Sequence, residues 1–267
     1  MPDRAGRTYG DTQVLSSVTN AARILKEFGK GDKEIGVSEL ARRLGLGKSS
    51  THRLVHTLTV ERLLDQNPQT GLYRLAVTMH QLGSQVQEAA DLHTAANPVV
   101  EQLRNLTKET VQISVLDGRH VVYVVRRESP QTVRLFGRVG HRNHAHCTST
   151  GKVLLAGLPR DELDVLLAGW RLARRTPYTI TTHAALLDEL DTVRERGWAD
   201  NVNESEVGVA SVAAPIRDAT GVVAAVSIAG PIQRLEAPAL HRHVRPVVEA
   251  AAAISRRLGW PGEPDPR

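Results

Sequence analysis

One segment, residues 36–75, limits the fold of this chain more than any other part of the sequence. It has the pattern of two short helices separated by a glycine-containing turn, and the second helix is rich in Ser, Thr, His and Arg. Two short apolar runs around the turn residues Asn67-Pro68 and Thr70-Gly71 follow, as in a β-hairpin. The sequence therefore predicts a winged helix-turn-helix, a module that places its second helix in the major groove of DNA.

A further helix precedes this module. Apolar residues recur at helical spacing between Ser16 and Phe28. They are Val18, Ala21, Ala22, Leu25 and Phe28. The next helix is predicted to open at Val37 and Ser38, with Ser38 as its N-cap and Glu39 in its first turn. Its buried face is Leu40, Ala41 and Leu44, and Gly45 suits the left-handed position at which the chain turns.

The recognition helix is predicted from Lys48 to about Leu58. Four residues fall on one stripe and should face the core: Thr51, Leu54, Val55 and Leu58. The amino-terminal half of such a helix reads the groove, so Ser49, Ser50, His52 and Arg53 are the best candidates for base contacts. The full set predicted to contact DNA is Ser38, Lys48, Ser49, Ser50, His52, Arg53, His56, Thr57 and Arg74.

Two alternatives stay open for these residues. The polar face of the helix is also compatible with a surface helix, although that does not explain why hydroxyls outnumber Glu and Lys. Arg53 is suited to bind either a guanine or a phosphate. Arg74 lies in the predicted wing, where an exposed arginine is as well explained by a simple hairpin as by a contact with DNA.

Charge and composition agree with a DNA-binding protein and exclude several other classes. The chain has 34 Lys+Arg and 29 Asp+Glu, a net charge of +5, of which +4 falls within residues 1–80. No run is long and apolar enough to cross a membrane, and the first residues lack the apolar stretch of a signal peptide. Cys147 is the single cysteine, which excludes an intramolecular disulfide framework. We expect a cytoplasmic protein with no membrane partner and no cofactor.

Neither of the two glycine-lysine pairs, Gly47-Lys48 and Gly151-Lys152, belongs to a phosphate-binding loop. The leading glycine that such a loop requires is replaced by Arg42 in one case and by His146 in the other.

A heptad-like seam follows the wing. Its members are Leu75, Met79, Leu82, Val86 and Ala89. The seam lasts about two heptads, so it predicts a linker helix that either pairs two subunits or packs on its own domain. Two-fold pairing is favoured because one helix-turn-helix reads few bases and a dimer doubles the site.

The second half of the chain has the pattern of an α+β domain around an antiparallel sheet. Alternating strands flank Asp117-Gly118, and a second pair flanks a turn at Asp218–Gly221. Helices are predicted near Pro98–Leu106, Gly151–Leu158, Asp161–Leu167, Ala184–Arg196 and Ala239–Leu258. Pro246 should kink or break the last of these.

These patterns divide the chain into five parts, and both tails are expected to be disordered. The parts are a tail at residues 1–12, the winged helix-turn-helix at 13–76, the linker helix at 77–91, the second domain at 92–260 and a tail at 261–267.

Five motifs in order resemble the IclR family of bacterial transcriptional regulators over nearly the whole chain. They are STHRLVHTL in the recognition helix, the wing, HCTSTGKVLLAGL, RERGWADNVNESEVGVASVAAPI and GVVAAVSIAGP. The resemblance implies a GAF-like second domain that binds a small effector, commonly an organic acid, in a homodimer or a tetramer of paired dimers.

The resemblance also implies a set of effector-binding positions. They are Ser149, Thr150, Asn201, Ser211 and Ser227, with Ala229 beside them. Ser149 and Thr150 are expected just before a helix, where hydroxyls and free N–H groups favour a carboxylate. Family members often have Cys at the position of Ser211, an acid at Asn201 and Ser at Ala229, so no particular effector is carried over.

Other polar clusters admit different chemistry. His144, His146 and Cys147 are candidate zinc ligands, but the alternation of the two histidines is equally what one face of a strand would show. No partner orients Cys147 as a nucleophile. Glu204 and Glu206 suggest paired carboxylates, for which a solvated turn is the favoured explanation.

The function expected from the sequence is a ligand-responsive transcription factor, most simply a repressor, without enzymatic activity. The alternatives are a constitutive architectural DNA binder and a small-molecule enzyme tethered to a DNA-binding domain.

Overall fold

The computed structural model describes residues 14–84 and 87–262. The chain divides into two compact units, the first ending at Ala90 and the second beginning at Asp91. Within the described ranges, no helix has both the length and the apolar content needed to cross a membrane.

The first unit contains the predicted three-helix arrangement. Its helices are α1 (Ser16–Phe28), α2 (Val37–Leu44) and α3 (Lys48–Val60). The core is built from Ile24 and Phe28 of α1, with Leu40 and Leu44 of α2 and Val55 of α3. The stripe predicted for α1 is therefore partly wrong. Val18 and Ala22 are exposed because the helix packs through its carboxy-terminal half, where Ile24 is fully buried.

The start of α2 corrects a second prediction. The N-cap is Gly36 and no side chain caps the helix, so Ser38 lies inside the first turn and is exposed. Gly45 has the predicted left-handed conformation at φ +65°. Arg23 of α1 donates to the carbonyl of Leu44 across 3.0 Å, which satisfies one of the free carbonyls at the end of α2.

The wing consists of β1 (Leu64–Gln66) and β2 (Tyr73–Leu75), paired antiparallel. Its turn is held by Asn67, whose Oδ1 accepts from the backbone N–H of Gln69. A third chain segment joins the wing where the sequence shows no strand signal, because Ile35 exchanges two backbone hydrogen bonds with Tyr73.

Two helices follow the wing. They are α4 (Val77–Ser84) and α5 (Gln87–Thr107). The helix predicted to begin at Pro98 is thus the second half of α5, which continues through the proline because Val99, Val100 and Leu103 are buried in the core. Of the predicted seam, Leu75 and Leu82 are exposed and Met79 is half-buried. Val86 and the side chain of Ala89 lie outside the described residues.

The second unit is built on one six-stranded sheet in the order β5-β4-β3-β8-β7-β6, antiparallel throughout. Its strands are β3 (Thr110–Asp117), β4 (His120–Arg127), β5 (Arg142–His144), β6 (Ala199–Val202), β7 (Val209–Asp218) and β8 (Gly221–Pro231). Its helices, besides the end of α5, are a 3₁₀ turn (Ala145–Cys147), α6 (Ser149–Ala156), α7 (Arg160–Leu167), α8 (His183–Arg196) and α9 (Ala237–Arg257). Both predicted strand pairs are confirmed, with Gly118 at φ +57° in the first turn.

Helices cover both faces of this sheet. Along β7, Val212 and Ala214 face a core shared with α5 and α9, whereas Ala213 faces a core shared with α6 and α8. The alternation is the two-residue period of a strand buried on both sides. Helix α9 runs unbroken through Pro246, so a break at that residue is excluded.

Candidate functional sites: the exposed face of α3 and a cavity at the start of α6

The exposed face of α3 carries the polar residues singled out in the sequence. Thr51, Val55 and Leu58 are buried and Leu54 is half-buried, as the predicted stripe requires. The exposed residues of the helix include Lys48, Ser49, Ser50, His52, Arg53, His56 and Thr57. The hydroxyl of Thr57 donates back to the carbonyl of Arg53 across 2.9 Å, so this group already has a partner within the helix.

The cations of α2 and α3 differ in their partners. Arg42 and Arg43 both bind the carboxylate of Glu39, and Arg43 also binds Asp32 across 2.5 Å. These arginines, Arg42 first, lower the pKa of Glu39 to about 2. By contrast, no ion pair of Lys48 or Arg53 exists within the described parts of the chain. Of these two helices, α3 is therefore the one whose cations form no ion pair with the described residues.

The remaining two residues predicted to contact DNA, Ser38 and Arg74, lie outside α3. Ser38 is exposed in the first turn of α2. Arg74 of the wing is half-exposed, and its guanidinium lies 4.0 Å from Glu34. Glu34 also accepts hydrogen bonds from Asn67 and Thr70, so its carboxylate ties the wing turn to the segment before α2.

A cavity of about 340 Å³ lies in the second unit. All five residues that the resemblance implied for effector binding line it, together with Ala229: they are Ser149, Thr150, Asn201, Ser211 and Ser227. The sheet register brings three of these positions together, because Ser211 is paired with Asn201 on one side and with Ala229 on the other. Helix α6 supplies Ser149 and Thr150.

The start of α6 differs in one respect from the prediction. Ser149 and Thr150 are the first two residues of the helix, not the residues before it. The cap is Thr148, whose hydroxyl accepts from the N–H of Gly151 across 3.2 Å. The N–H groups of Ser149 and Thr150 then have no acceptor among the described residues. The hydroxyls of Ser149 and Ser211 are 2.8 Å apart.

Gly151 allows this arrangement. A Cβ at this position would lie 2.0 Å from the carbonyl oxygen of Ala145. The 3₁₀ turn can therefore pack on α6 only if residue 151 is glycine.

The loop that carries Glu204 is not the solvated turn expected from the sequence. The side chain of Glu204 is mostly buried and accepts from the ammonium of Lys152 across 2.8 Å. Burial raises the pKa of Glu204, opposed by the charge of Lys152. Asn201 accepts from the backbone N–H of Glu204 and donates to Ser205, so it orders this loop beside the cavity. Glu206 is exposed, and the two carboxylates do not form a catalytic pair.

Several cavity-lining residues were not found from the sequence. The central strands contribute Gln112, Tyr123 and Arg126, and residues 134–137 contribute part of the loop between β4 and β5. This loop is held by two arginines. Arg126 donates to the carbonyl of Leu135 across 2.6 Å, and Arg234 donates to that of Val133 across 2.8 Å. The sequence did not reveal these cavity-lining residues, because alternation in a strand shows which residues share a face and not which face has a cavity.

The histidine and cysteine cluster is a packed part of the structure. His144 ends β5 and His146 lies in the 3₁₀ turn, so they do not alternate along one strand as predicted. His146 contacts the ring of Trp170 edge-on and its Nε2 lies 3.0 Å from the carbonyl oxygen of Ala173. Among the residues that the structure describes, no three His, Cys, Asp or Glu side chains are placed to hold a metal ion. Burial raises the pKa of Cys147 to about 12, which is the opposite of an activated thiol.

Comparison with known proteins assigns the two units to the two domains of one protein family. Residues 84–256 match the family described as "Bacterial transcriptional regulator IclR C-terminal", and residues 17–68 match the IclR helix-turn-helix domain. The chain is 35% identical to the HTH-type transcriptional regulator KdgR of Escherichia coli, over 92% of this chain and 94% of that protein. It is 33% identical to the regulator XynR of the same organism, over 93% and 99% of the two chains.

A solved structure shows the same architecture with a ligand. It is an IclR homolog from Microbacterium hydrocarbonoxydans in complex with 4-hydroxybenzoate, with a TM-score of 0.81 and 27% identity. The alignment covers 91% of this chain and 99% of that one.

Proposed function

Because this chain belongs to the IclR family of bacterial transcriptional regulators, we propose that it is a repressor whose affinity for a palindromic operator is controlled by a small organic acid. The first unit reads the operator through α3, and the second unit binds the acid in the cavity at the start of α6. The effector shifts the population of molecules between states that can and cannot bind the operator.

The DNA-binding half of the proposal rests on the exposed face of α3. Ser49, Ser50, His52 and Arg53 lie in its amino-terminal half, the part that contacts bases when such a helix enters the major groove. Lys48 adds a cation without an ion-pair partner among the described residues. We assign contacts with DNA phosphates to the flanking positions, which are Ser38, His56, Thr57 and Arg74.

The cavity is the single observation that carries the sensing half. It gathers Ser149, Thr150, Asn201, Ser211 and Ser227, and the first two have backbone N–H groups at the start of a helix for which the described residues provide no acceptor. Hydroxyl donors, amide groups and a helix N-terminus together favour a carboxylate. The homolog bound to 4-hydroxybenzoate, itself an aromatic acid, supports this class of ligand.

Assembly into a homodimer or a tetramer is part of the proposal. One helix-turn-helix contacts a single half-site, whereas a two-fold dimer contacts two half-sites about 34–36 Å apart, or a multiple of this distance. Such a dimer binds a palindrome with the specificity that regulation of a single operon requires.

The proposal is tested with the full-length protein in two steps. Selection from random duplex DNA should yield a palindromic sequence, and fluorescence anisotropy then measures the affinity for it. Titration with a panel of short aliphatic and aromatic acids, 4-hydroxybenzoate included, should lower this affinity for at least one acid, with binding heat and no product. Turnover of a bound acid would support a tethered enzyme. Operator binding with no response to any acid would support an architectural DNA binder.

A further inference from the structure

The cavity has a second polar end, formed by Arg126. In the sheet, Gln112 of β3 is paired with Arg126 of β4 on one side and with Ser227 of β8 on the other. All three residues line the cavity, so its wall extends across three neighbouring strands. Arg126 thus lies on the far side of the cavity from β6 and β7, which carry Asn201 and Ser211.

The guanidinium of Arg126 is fixed in place but incompletely bonded. One Nη atom donates to the carbonyl of Leu135, and a Cβ at Gly137 would lie only 3.1 Å from the other. The Nε atom is buried and has no hydrogen-bond partner. A buried donor without an acceptor among the described residues is unusual in proteins and requires an explanation.

No carboxylate of the described residues forms an ion pair with Arg126. The nearest acid in sequence, Glu128, binds Arg134 across 3.1 Å, and Arg134 also lines the cavity. Burial lowers the pKa of Arg126, and the charge of Glu128 only partly opposes this shift. An arginine keeps its charge even so. The cavity therefore holds a partly buried cation that forms no ion pair with any described residue.

The hydroxyl end of the cavity lies well apart from this cation. Ser211 is on β7 and Arg126 on β4, three strand intervals and two residues along the strand away, which corresponds to about 16 Å between their backbones. The cavity volume of about 340 Å³ leaves room for a small organic molecule between these two ends. Glu206 also lines the cavity, on the loop after β6, where its exposed carboxylate is screened by solvent.

We infer that the effector is a dicarboxylate, with one carboxylate bound at the start of α6 by Ser149, Thr150 and Ser211 and the other bound by Arg126. This inference rests on the proposed function and names the ligand class for the same cavity. Arg126 is then the residue that separates diacids from monoacids. A charge-assisted bond from its guanidinium requires an acceptor that a monoacid bound at α6 does not supply.

The test compares matched acids on the full-length protein by isothermal titration. Succinate, glutarate and adipate are each compared with the monoacid of the same carbon number: butyrate, valerate and hexanoate. We expect at least one diacid to bind ten-fold or more tightly than its monoacid. Arg126→Gln should remove this preference and leave the affinity for the monoacid within about two-fold, and Arg126→Lys should retain part of it.

Two controls separate the possible failures. Operator affinity without ligand and the far-UV circular dichroism spectrum should be unchanged in both variants, which shows that they fold, although loss of the bond to Leu135 should lower the thermal unfolding temperature. Equal affinity for diacids and monoacids, or an unchanged preference in Arg126→Gln, would overturn the inference while leaving an acid-controlled regulator intact. Failure of every acid to bind and to alter operator affinity would instead overturn the proposed function, and the inference with it.

Discussion

The ammonium group of Lys152 donates to Oε1 of Glu204 across 2.8 Å and connects α6 to the loop after β6. Only about 2% of the lysine side chain is exposed, and a second acceptor, Glu189, lies 3.0 Å away. Lys152 is in the helix whose first turn lines the cavity, and the backbone of Glu204 donates to Asn201, which also lines it. This buried ion pair therefore supports two sides of the candidate effector site.

Replacement of Lys152 by Met should destabilise the second unit by about 3–5 kcal/mol, because it leaves the buried carboxylate of Glu204 without its cation. Urea unfolding followed by tryptophan fluorescence measures this, since all three tryptophans of the chain lie after Asp91. Arg160→Met is the matched control. It breaks an exposed pair with Asp164 and should cost less than about 1 kcal/mol. Equal losses of unfolding free energy in the two variants would contradict the assignment of Lys152 and Glu204 as a buried, stabilising ion pair.

Gly151→Ala should reduce the free energy of unfolding by about 1–3 kcal/mol or more, because the added Cβ would lie 2.0 Å from the carbonyl oxygen of Ala145. Urea titration followed by far-UV circular dichroism is the measurement. Gly83→Ala provides the control, as a Cβ there meets no atom within 4 Å in α4. That variant should be neutral or slightly more stable. If Gly151→Ala were as stable as the control, the close packing of the 3₁₀ turn on α6 would be wrong.

Arg53→Ala should weaken operator binding by about 1–3 kcal/mol if the guanidinium contacts a base, measured by fluorescence anisotropy at several salt concentrations. Arg42→Ala removes an arginine whose charge is already paired with Glu39 and should have a smaller effect. Unchanged operator affinity of Arg53→Ala would exclude Arg53 from the residues that contact bases.

Ser211→Leu should leave operator binding intact and abolish the response to acids, because the larger side chain fills the cavity beside Ser149. Ser211→Ala keeps the space but removes one hydroxyl, so it should respond with reduced sensitivity. Operator affinity is measured with and without the acid that is most active on the wild type. Loss of DNA binding by Ser211→Leu in the absence of acid would count against this placement of the effector site.

Cys147 should make stability fall as the pH rises. Its folded pKa of about 12 exceeds the ordinary value of 9.0 because burial disfavours the thiolate, so above pH 9 the unfolded chain ionises first. The stabilising contribution of the neutral thiol is complete below pH 9 and decreases as the pH rises toward 12. Urea unfolding of wild type and Cys147→Ala at pH 8 and pH 10 should show a steeper loss in the wild type. A parallel loss would show that the thiol is not shielded.

The sequence was most informative where a local pattern has one structural solution. Gly45 and Gly118 have the left-handed backbone that their turns require, and Thr51 and Val55 are buried in α3 as helical spacing predicts. The starts of α2 and α6 were each misjudged by two residues, because more than one small or polar residue was suited to cap the helix. Gly36 and Thr148 occupy the caps.

Long-range pairings were not accessible from the sequence. Lys152 looked like part of a false phosphate loop, and its burial depends on Glu189 and Glu204, which are 37 and 52 residues away. Arg126 looked like an ordinary strand arginine. Its place in the cavity depends on the register of β4 against β3, which no local pattern specifies.

The loop between β4 and β5 is attached to the rest of the second unit by two arginines, and both bind backbone carbonyls, those of Val133 and Leu135. Neither bond depends on the identity of the side chain at the residue that accepts it. The cavity thus combines a wall of strands, whose residues are fixed by packing on both faces, with a loop wall that is anchored through its backbone. Within this loop Gly137 is confined by Arg126, but changes in residues 134–136 would alter the surface offered to a ligand without new demands on the fold.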